Sequence, residues 1–308
     1  MKSFDKIKLH LFVPVYNRAF ITKKFINLLL KQKFRNYNLY IIDDNSDDST
    51  VEIIEKFSEL DSRIFLIKTQ GNNWWGGAIA YGLEKIYKRG FIKSTDYIGF
   101  MNDDITINEN VLYDLLIVLK ANPKSIVSPV RVNNGKIIAT GSKIINWPLA
   151  ISIRPLDGNL YSNKKNQSLE EIDFIGANCT FFPSSLIKDI GYPNFQKLPH
   201  YHADGEYFFR AKKSNYKIYL CPFLYINRNE ESTGLFNSND QSNFKDFFNS
   251  FFIRKSINNI EDRFNFAKLC CPKKYIYSYF IFSILKSIFK SLYFILYKYV
   301  RNFLAKII

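Results

Sequence analysis

The amino-acid sequence predicts an α/β fold with a mainly parallel central sheet and helices on both faces. Two observations carry this. Short apolar runs alternate with amphipathic ones through the first half of the chain, the pattern of strands joined by crossover helices. The runs also end in clusters of polar residues, as expected where parallel strands deliver side chains to a ligand crevice. A length of 308 residues gives room for one large domain of about 250 residues and an appendage.

In order, Leu11 to Val15 reads as a strand, followed by a helix through Phe20, Phe25, Leu28 and Leu29 and a second strand over Leu39 to Ile42. Ser49 or Thr50 can cap the next helix, through Ile53, Ile54 and Phe57, and Ile64 to Ile67 gives a third strand. A helix from about Gly77 to Lys88 then leads into a fourth strand, Tyr97 to Met101. After Val130 the pattern loosens into Gly, Asn and Pro punctuation, and Asp157 to Gln167 reads as a mobile loop. From about Lys273 acidic residues vanish and an aromatic, basic tail begins. The expected organisation is a catalytic domain over 1–255, with a donor half over 1–130 and an acceptor half over 131–255, and a tail of amphipathic helices over 256–308.

The chain is 47% hydrophobic, which excludes a disordered protein. Its 29 Phe and 20 Tyr are more than a soluble core needs, so some rings are expected to face a ligand or a surface. The formal charge of +15 points to an anionic partner: nucleic acid, a nucleoside diphosphate or an anionic membrane. Nucleic acid is disfavoured because the basic residues are dispersed and crowd chiefly in the apolar tail. The cysteines Cys179, Cys221, Cys270 and Cys271 form no CxxC pair and read as reduced thiols. The charged segment Met1 to His10 lacks the pattern of a secretory signal, so a cytoplasmic location is expected.

The first strand ends in Pro14-Val15-Tyr16-Asn17-Arg18, which is neither a dinucleotide-binding glycine motif nor a P-loop. The second ends in Asp43-Asp44-Asn45-Ser46, where a carboxylate can accept from a base or ribose, or can simply make a turn. After the third comes Gly71-Asn72-Asn73-Trp74-Trp75-Gly76-Gly77-Ala78. Its glycines permit close backbone approach and its indoles offer stacking platforms; the competing reading is a packed turn before a helix. The fourth strand delivers Asn102-Asp103-Asp104, hard oxygen donors suited to Mg²⁺ or Mn²⁺ on a diphosphate, or a helix cap. Further on, His202-Ala203-Asp204-Gly205-Glu206 opens a helix. Asp204 is either an N-terminal cap or the base that a sugar-acceptor hydroxyl needs, with His200, His202 and Glu206 as acceptor-side candidates.

Taken in order, these segments resemble glycosyltransferase family two, the inverting group with a GT-A Rossmann-like fold, and within it the rhamnosyltransferase-like enzymes of bacterial surface polysaccharide synthesis. The resemblance covers roughly Lys8 to Leu235, and its most specific part is Asn72 to Ala78. It implies that Pro14, Tyr16 and Asp44 hold the nucleoside, helped by Asn17, Arg18 and Asp43. Asn73, Trp74, Trp75, Gly76 and Gly77 would line the donor site with Asn102 and Asp103, Asp104 would bind Mn²⁺ or Mg²⁺, and Asp204 would be the catalytic base. Asn102 stands where many relatives have Asp, and Ala203 where many have Glu. No Gln-x-x-Arg-Trp segment is present, against a processive synthase.

The implied reaction is metal-dependent transfer, with inversion, of a sugar from a UDP- or dTDP-linked donor to a hydroxyl of a saccharide or lipid-linked acceptor. Two alternatives stand beside it, a nucleotidyltransferase and an inactive sugar-binding scaffold subunit. The tail places Lys286, Lys290, Lys298 and Arg301 with Ser283, Ser287, Ser291 and Asn302 on one helical face, leaving the other apolar. That pattern predicts an interfacial helix on an anionic membrane, hence a peripheral enzyme on the inner face of the cell membrane; packing on the catalytic domain is the alternative. A homodimer is the remaining partner considered.

Overall fold

The structure is a computed structural model, and it describes residues 6–138, 140–163, 167–228 and 244–304, without the side chains of 244, 295, 298, 299 and 301–304. The side chains of Lys298, Arg301 and Asn302, the chain end at Ile308, Leu235 and part of the expected 157–167 loop lie outside the described residues.

The elements run β1 (Leu9–Val15), α1 (Ala19–Leu30), β2 (Tyr37–Asp43), α2 (Thr50–Leu60), β3 (Ile64–Lys68), α3 (Trp74–Lys88), β4 (Tyr97–Met101), β5 (Ile105–Thr106), α4 (Val111–Ala121), β6 (Ser125–Asn133) and β7 (Lys136–Ile138). They continue through β8 (Gly141–Asn146), β9 (Ile151–Ile153), β10 (Glu170–Ile172), β11 (Phe174–Ile175), β12 (Cys179–Pro183), α5 (Ser185–Ile190), α6 (Ala203–Lys213) and β13 (Lys217–Arg228). Three helices close the described chain: α7 (Phe244–Ser250), α8 (Ile260–Cys270) and α9 (Ile276–Leu304).

The main sheet has the order β10-β13-β6-β12-β4-β1-β2-β3. Strands β1, β2, β3 and β4 are mutually parallel, as is the pair β6 and β13, whereas β12 runs antiparallel to both β4 and β6. Antiparallel β12 and a small sheet of β11-β8-β9 fill the stretch where apolar periodicity faded. Alternation along β1 explains the two-sided packing. Leu9, Leu11 and Val13 meet Phe25, Ile26 and Leu29 of α1 and Leu112, Leu115 and Leu116 of α4 on one face. Phe12 joins Ala78, Ile79 and Leu83 of α3 and Tyr207 and Phe208 of α6 on the other. Both sides of the sheet are thus apolar, as a parallel sheet under two helical layers requires.

Helix α3 begins at Trp74, three residues before the expected start. Gly76 and Gly77 therefore belong to its first turn, and the reason is steric. A Cβ on Gly76 would lie 2.9 Å from both Leu198 O and Pro199 O, and the Gly76 N–H donates to Pro199 O at 2.7 Å. His10 lies fully buried on β1, bonded to Asp96 and Tyr40, and burial lowers its pKa. Helix α8 docks on the catalytic layers, with Phe266 and Cys270 in an apolar cluster shared by Phe174, Leu198 and Ala203.

Candidate active site

The register of β1, β2 and β4 carries three polar segments to one end of the sheet: Val15 stands opposite Asp43, and Phe12 opposite Phe100 two residues before Asn102. The loops after β1 and β2 are stitched to each other. Asn17 N donates to Ser46 Oγ at 2.9 Å, Asp47 N to Asn17 Oδ1 at 2.9 Å, and Arg18 N to Thr50 Oγ1 at 2.9 Å. Asn17 and Asn45 adopt left-handed backbone, φ 51° and 66°, which Asn tolerates better than most residues. Asp43 folds back to accept from Ser46 N and Oγ. Tyr16 is left 49% exposed, so its ring is open to a ligand at the strand end, and Pro14 beside it is half-buried.

Asp44 is buried, and its carboxylate is engaged by the chain. Oδ1 accepts from Thr69 Oγ1 at 2.6 Å and Asn73 Nδ2 at 2.9 Å, while Oδ2 accepts from the Asn73 and Trp74 amides, each at 2.9 Å. These bonds fix a strained entry to α3, with Asn72 and Trp74 in left-handed backbone at φ 60° and 57°. The consequence is that the two indoles part. Trp75 packs inward, edge-on to Phe100 at 6.0 Å, while Trp74 turns outward between the His200 ring at 5.4 Å and Lys255 Nζ at 5.6 Å from its centroid.

Asp103 and Asp104 are both buried, and they divide the work. Asp103 accepts from Arg18 Nη1 and from Thr22 Oγ1 at 2.9 Å; burial raises its pKa and Arg18 opposes the rise. Asp104 Oδ2 accepts from Arg228 Nε at 3.1 Å and lies 3.8 Å from Arg18 Nη2. Its Oδ1 is buried without a hydrogen-bond partner. A bare, buried carboxylate oxygen is the donor a hard divalent cation takes. Among the described residues no group of three or more His, Cys, Asp or Glu could hold a metal. With that one bare oxygen Asp104 would supply a single ligand to such a cation, and the rest of its shell would come from elsewhere.

Asp204 sits in the first turn of α6. Its Oδ2 accepts from Ala177 N at 3.0 Å and its Oδ1 from Gly205 N at 2.8 Å. Burial raises its pKa, and these amides oppose the rise. Asn178, next along the chain from Ala177, holds Asn102 twice, through its main-chain O at 3.0 Å and its Oδ1 at 2.9 Å. One dipeptide thus ties the Asn102 segment to Asp204.

Two of the expected acceptor-side groups are engaged by neighbouring side chains and backbone. The Glu206 carboxylate is buried and clamped by Arg210 Nε at 2.9 Å and Nη2 at 3.2 Å; Arg210 also donates to the carbonyls of Ile190 and Tyr192, so the pair is a framework brace. His202 takes left-handed backbone, φ 66°, to start α6, and its ring packs on Phe266 of α8 at 5.1 Å with Nε2 buried. Burial drops its pKa to about 4, as it does that of His200. Arg228, Ala177 and Asn178 join the site without a local motif; Arg228 is placed by the pairing of β13 with β5, where it stands opposite Ile105.

The sequence profile described as Glycosyl transferase family 2 matches residues 11–190. An uncharacterized glycosyltransferase of Haemophilus influenzae is 33% identical over 109 residues, 35% of this chain and 41% of that protein. The poly-beta-1,6-N-acetyl-D-glucosamine synthase of Staphylococcus aureus is 25% identical over 180 residues, 58% of this chain and 40% of that protein. The chain so spans about two fifths of the length of these relatives. Among solved structures, S. aureus TarS 1-349 in complex with UDP superposes with TM-score 0.51 at 15% identity, covering 85% of this chain and 70% of TarS. GalNAc-T7 with UDP, GalNAc and Mn²⁺ gives 0.58 at 12% identity over 72% of this chain and 43% of that one. The mannosyltransferase PcManGT of Pyrobaculum calidifontis with GDP-Man and Mn²⁺ gives 0.55 at 11% over 92% and 72%. With the profile covering more than half of its length on a GT-A sheet, the chain belongs to glycosyl transferase family 2.

Proposed function

We propose that the protein transfers a sugar from a nucleoside-diphosphate donor, UDP- or dTDP-linked, to a hydroxyl of a saccharide or lipid-linked saccharide acceptor, with inversion at the anomeric carbon, in surface polysaccharide synthesis. The observation that carries this reading is the strap of Ala177 and Asn178, which bonds Asp204 on one side and, on the other, Asn102, two residues before Asp104 with its bare buried Oδ1. The solved neighbours with UDP and with Mn²⁺ support the donor class and the cation. Rhamnose as the sugar remains part of the resemblance alone.

In this reading Tyr16 and Trp74 flank the donor, and the loop held by Asp44 presents the start of α3 to it. Asp204, fixed by two amides with its ring of protein raising its basicity, accepts the proton of the acceptor hydroxyl as that oxygen attacks the anomeric carbon. Arg18 and Arg228 place positive charge beside the departing diphosphate. Mn²⁺ or Mg²⁺ held at Asp104 would supply further neutralisation of that leaving group. The domain division at 255/256 and action at the cytoplasmic face of the membrane belong to the same proposal.

The test is nucleotide release from a panel of nucleotide sugars, with and without Mn²⁺, together with the anomeric configuration of the product by NMR. Retention of configuration would overturn the single-displacement role of Asp204, and release of pyrophosphate in place of nucleoside diphosphate would identify a nucleotidyltransferase. Donor binding without turnover against any acceptor would leave the scaffold reading.

A further inference from the structure

Helix α9 sits on the domain by an edge of mixed character, Phe280, Ser283, Ile284, Ser287 and Ser291, with Lys286 and Lys290 exposed beside it. Its first turn packs Tyr279 near Trp147 at 5.6 Å and Phe280 near Phe264 at 5.0 Å. Beyond that, Ser283 O accepts from Arg263 Nη1 at 2.7 Å, Lys286 Nζ donates to Ala150 O at 2.6 Å, and Ser291 is buried. The opposite side carries Ile281, Leu285, Phe289, Tyr293, Leu296 and Val300, all exposed, with Phe289 at 67% and Tyr293 at 66%. At 100° per residue these six fall within an arc of about 120° along a helix of about 44 Å. A helix that only braced the domain would turn this face inward.

Helix α7 and the turn after it extend the same apolar surface. Phe248 is 66% and Phe252 73% exposed. Between them and α9 lies a groove of about 340 Å³ whose lining, Phe247 and Phe251 on one wall and Ile284, Ile288 and Leu292 on the other, is apolar throughout. Around it the chain is strongly basic: over 244–304 it holds eleven Lys and Arg against three acidic residues, and none of the three lies beyond Asp262. Among the described residues no helix is long and apolar enough to cross a membrane.

We propose that α7 and α9 together form a seat for an anionic lipid bilayer, with the aromatic face immersed at the headgroup level and the groove open to an acyl chain. Exposed apolar area of this extent requires a cover. The charge selects which cover: a second copy would bring two basic surfaces together, whereas anionic headgroups complement them. Tyr277, Tyr293 and Tyr297, exposed on this helix, have the mixed character suited to that depth. The seat goes beyond the transfer reaction and is tested independently of it.

The experiment uses the full chain and sedimentation with vesicles of phosphatidylcholine alone and of phosphatidylcholine mixed with phosphatidylglycerol, at low and high salt. The intact protein is expected to bind the mixed vesicles, with binding reduced by salt. The triple variant Phe252→Ser, Phe289→Ser, Tyr293→Ser should lose at least about tenfold in partition while keeping its melting temperature and its donor turnover in solution. Lys273→Glu with Lys274→Glu should flatten the salt dependence. Equal partition of intact protein and triple variant overturns the proposal. So does a dimer that ignores both vesicles and dissociates in the triple variant, since a second copy would then be the cover.

Discussion

Asp44 is the position where the two readings of the Asp-Asp turn separate by measurement. Its carboxylate receives the Asn73 and Trp74 amides on one oxygen and the Thr69 hydroxyl and the Asn73 side chain on the other. In Asp44→Ala the two main-chain N–H groups lose their acceptor in a half-buried place. At roughly 1–3 kcal/mol for each unsatisfied donor, and with water reaching part of the gap, the loss is about 3–4 kcal/mol. In Asp44→Asn the amide oxygen can keep both N–H groups, but its NH₂ faces the Asn73 NH₂ and a Thr69 hydroxyl that already accepts from Gly71 N and Asn73 Nδ2, so the charge assistance and the Asn73 side-chain bond are lost, about 2 kcal/mol. For a domain of this size the alanine variant should melt about 10 °C lower and the asparagine variant about 4 °C lower. Release of the strained backbone at Asn72 and Trp74 should also raise the donor KM more than it lowers kcat. Thermal unfolding and steady-state kinetics on the same preparations check this. An alanine variant as stable as the wild type but unable to bind donor would refute the clamp and make Asp44 a direct ligand contact.

Four further outcomes follow from the same geometry. Asp104→Ala should lower donor turnover by about a hundredfold or more, and excess chelator should do the same to the wild type; full turnover in chelator would remove the cation from the scheme. Asp204→Asn should retain donor affinity and lose transfer by about 10²–10⁴-fold, and a wild-type rate would remove Asp204 as the base. Gly76→Ala should destabilise by about 1–3 kcal/mol despite the better helix propensity of Ala, because the new methyl meets two main-chain oxygens at 2.9 Å; a stabilised variant would show that the 198–199 segment yields. Burial depresses the pKa of His200 and His202 from 6.5 to about 4, so the unfolded chain takes up protons first as pH falls. Stability is full above pH 6.5 and declines from there to about pH 4, by about 1.4 kcal/mol per histidine at pH 5.5; urea midpoints that stay level between pH 7 and 5 would contradict the burial.

What was legible in the sequence was local. The strands of the parallel half announce themselves by continuous apolar runs, and the polar turns after them follow directly in the chain. The early start of α3 was not legible, since Gly76 and Gly77 look like loop residues until the carbonyls of Leu198 and Pro199 come into view. Nor was the parting of Trp74 and Trp75, which depends on two left-handed residues held by a carboxylate some thirty positions earlier. Arg228 reaches Asp104 only through a two-residue strand pairing across more than a hundred residues, and no spacing rule finds such a partner. Glu206 looked like a spare acid near the base because its pairing with Arg210, one turn on, also reads as part of an ordinary helix surface. For the tail, periodicity marked two faces but could not say which one the domain would take.

The position of the strap has a mechanical consequence for the proposed chemistry. Ala177 and Asn178 precede β12, and the antiparallel register sets Cys179 opposite Met101, the residue before Asn102. The separation between the Asn102-Asp104 segment and Asp204 is therefore set by a strand pair in the middle of the sheet, with a single hydrogen bond from Ala177 reaching across to α6. Helix α6 is held from its other side by Gly76 of α3, whose amide binds Pro199 a few residues before the helix begins. The start of α3, the proposed donor loop, and the segment leading into α6, which carries the proposed base, are thus joined by a backbone hydrogen bond rather than through long side chains. Rigid placement of this kind is what an in-line displacement needs, because a base held to a fraction of an ångström serves the transition state better than one carried on a mobile arm.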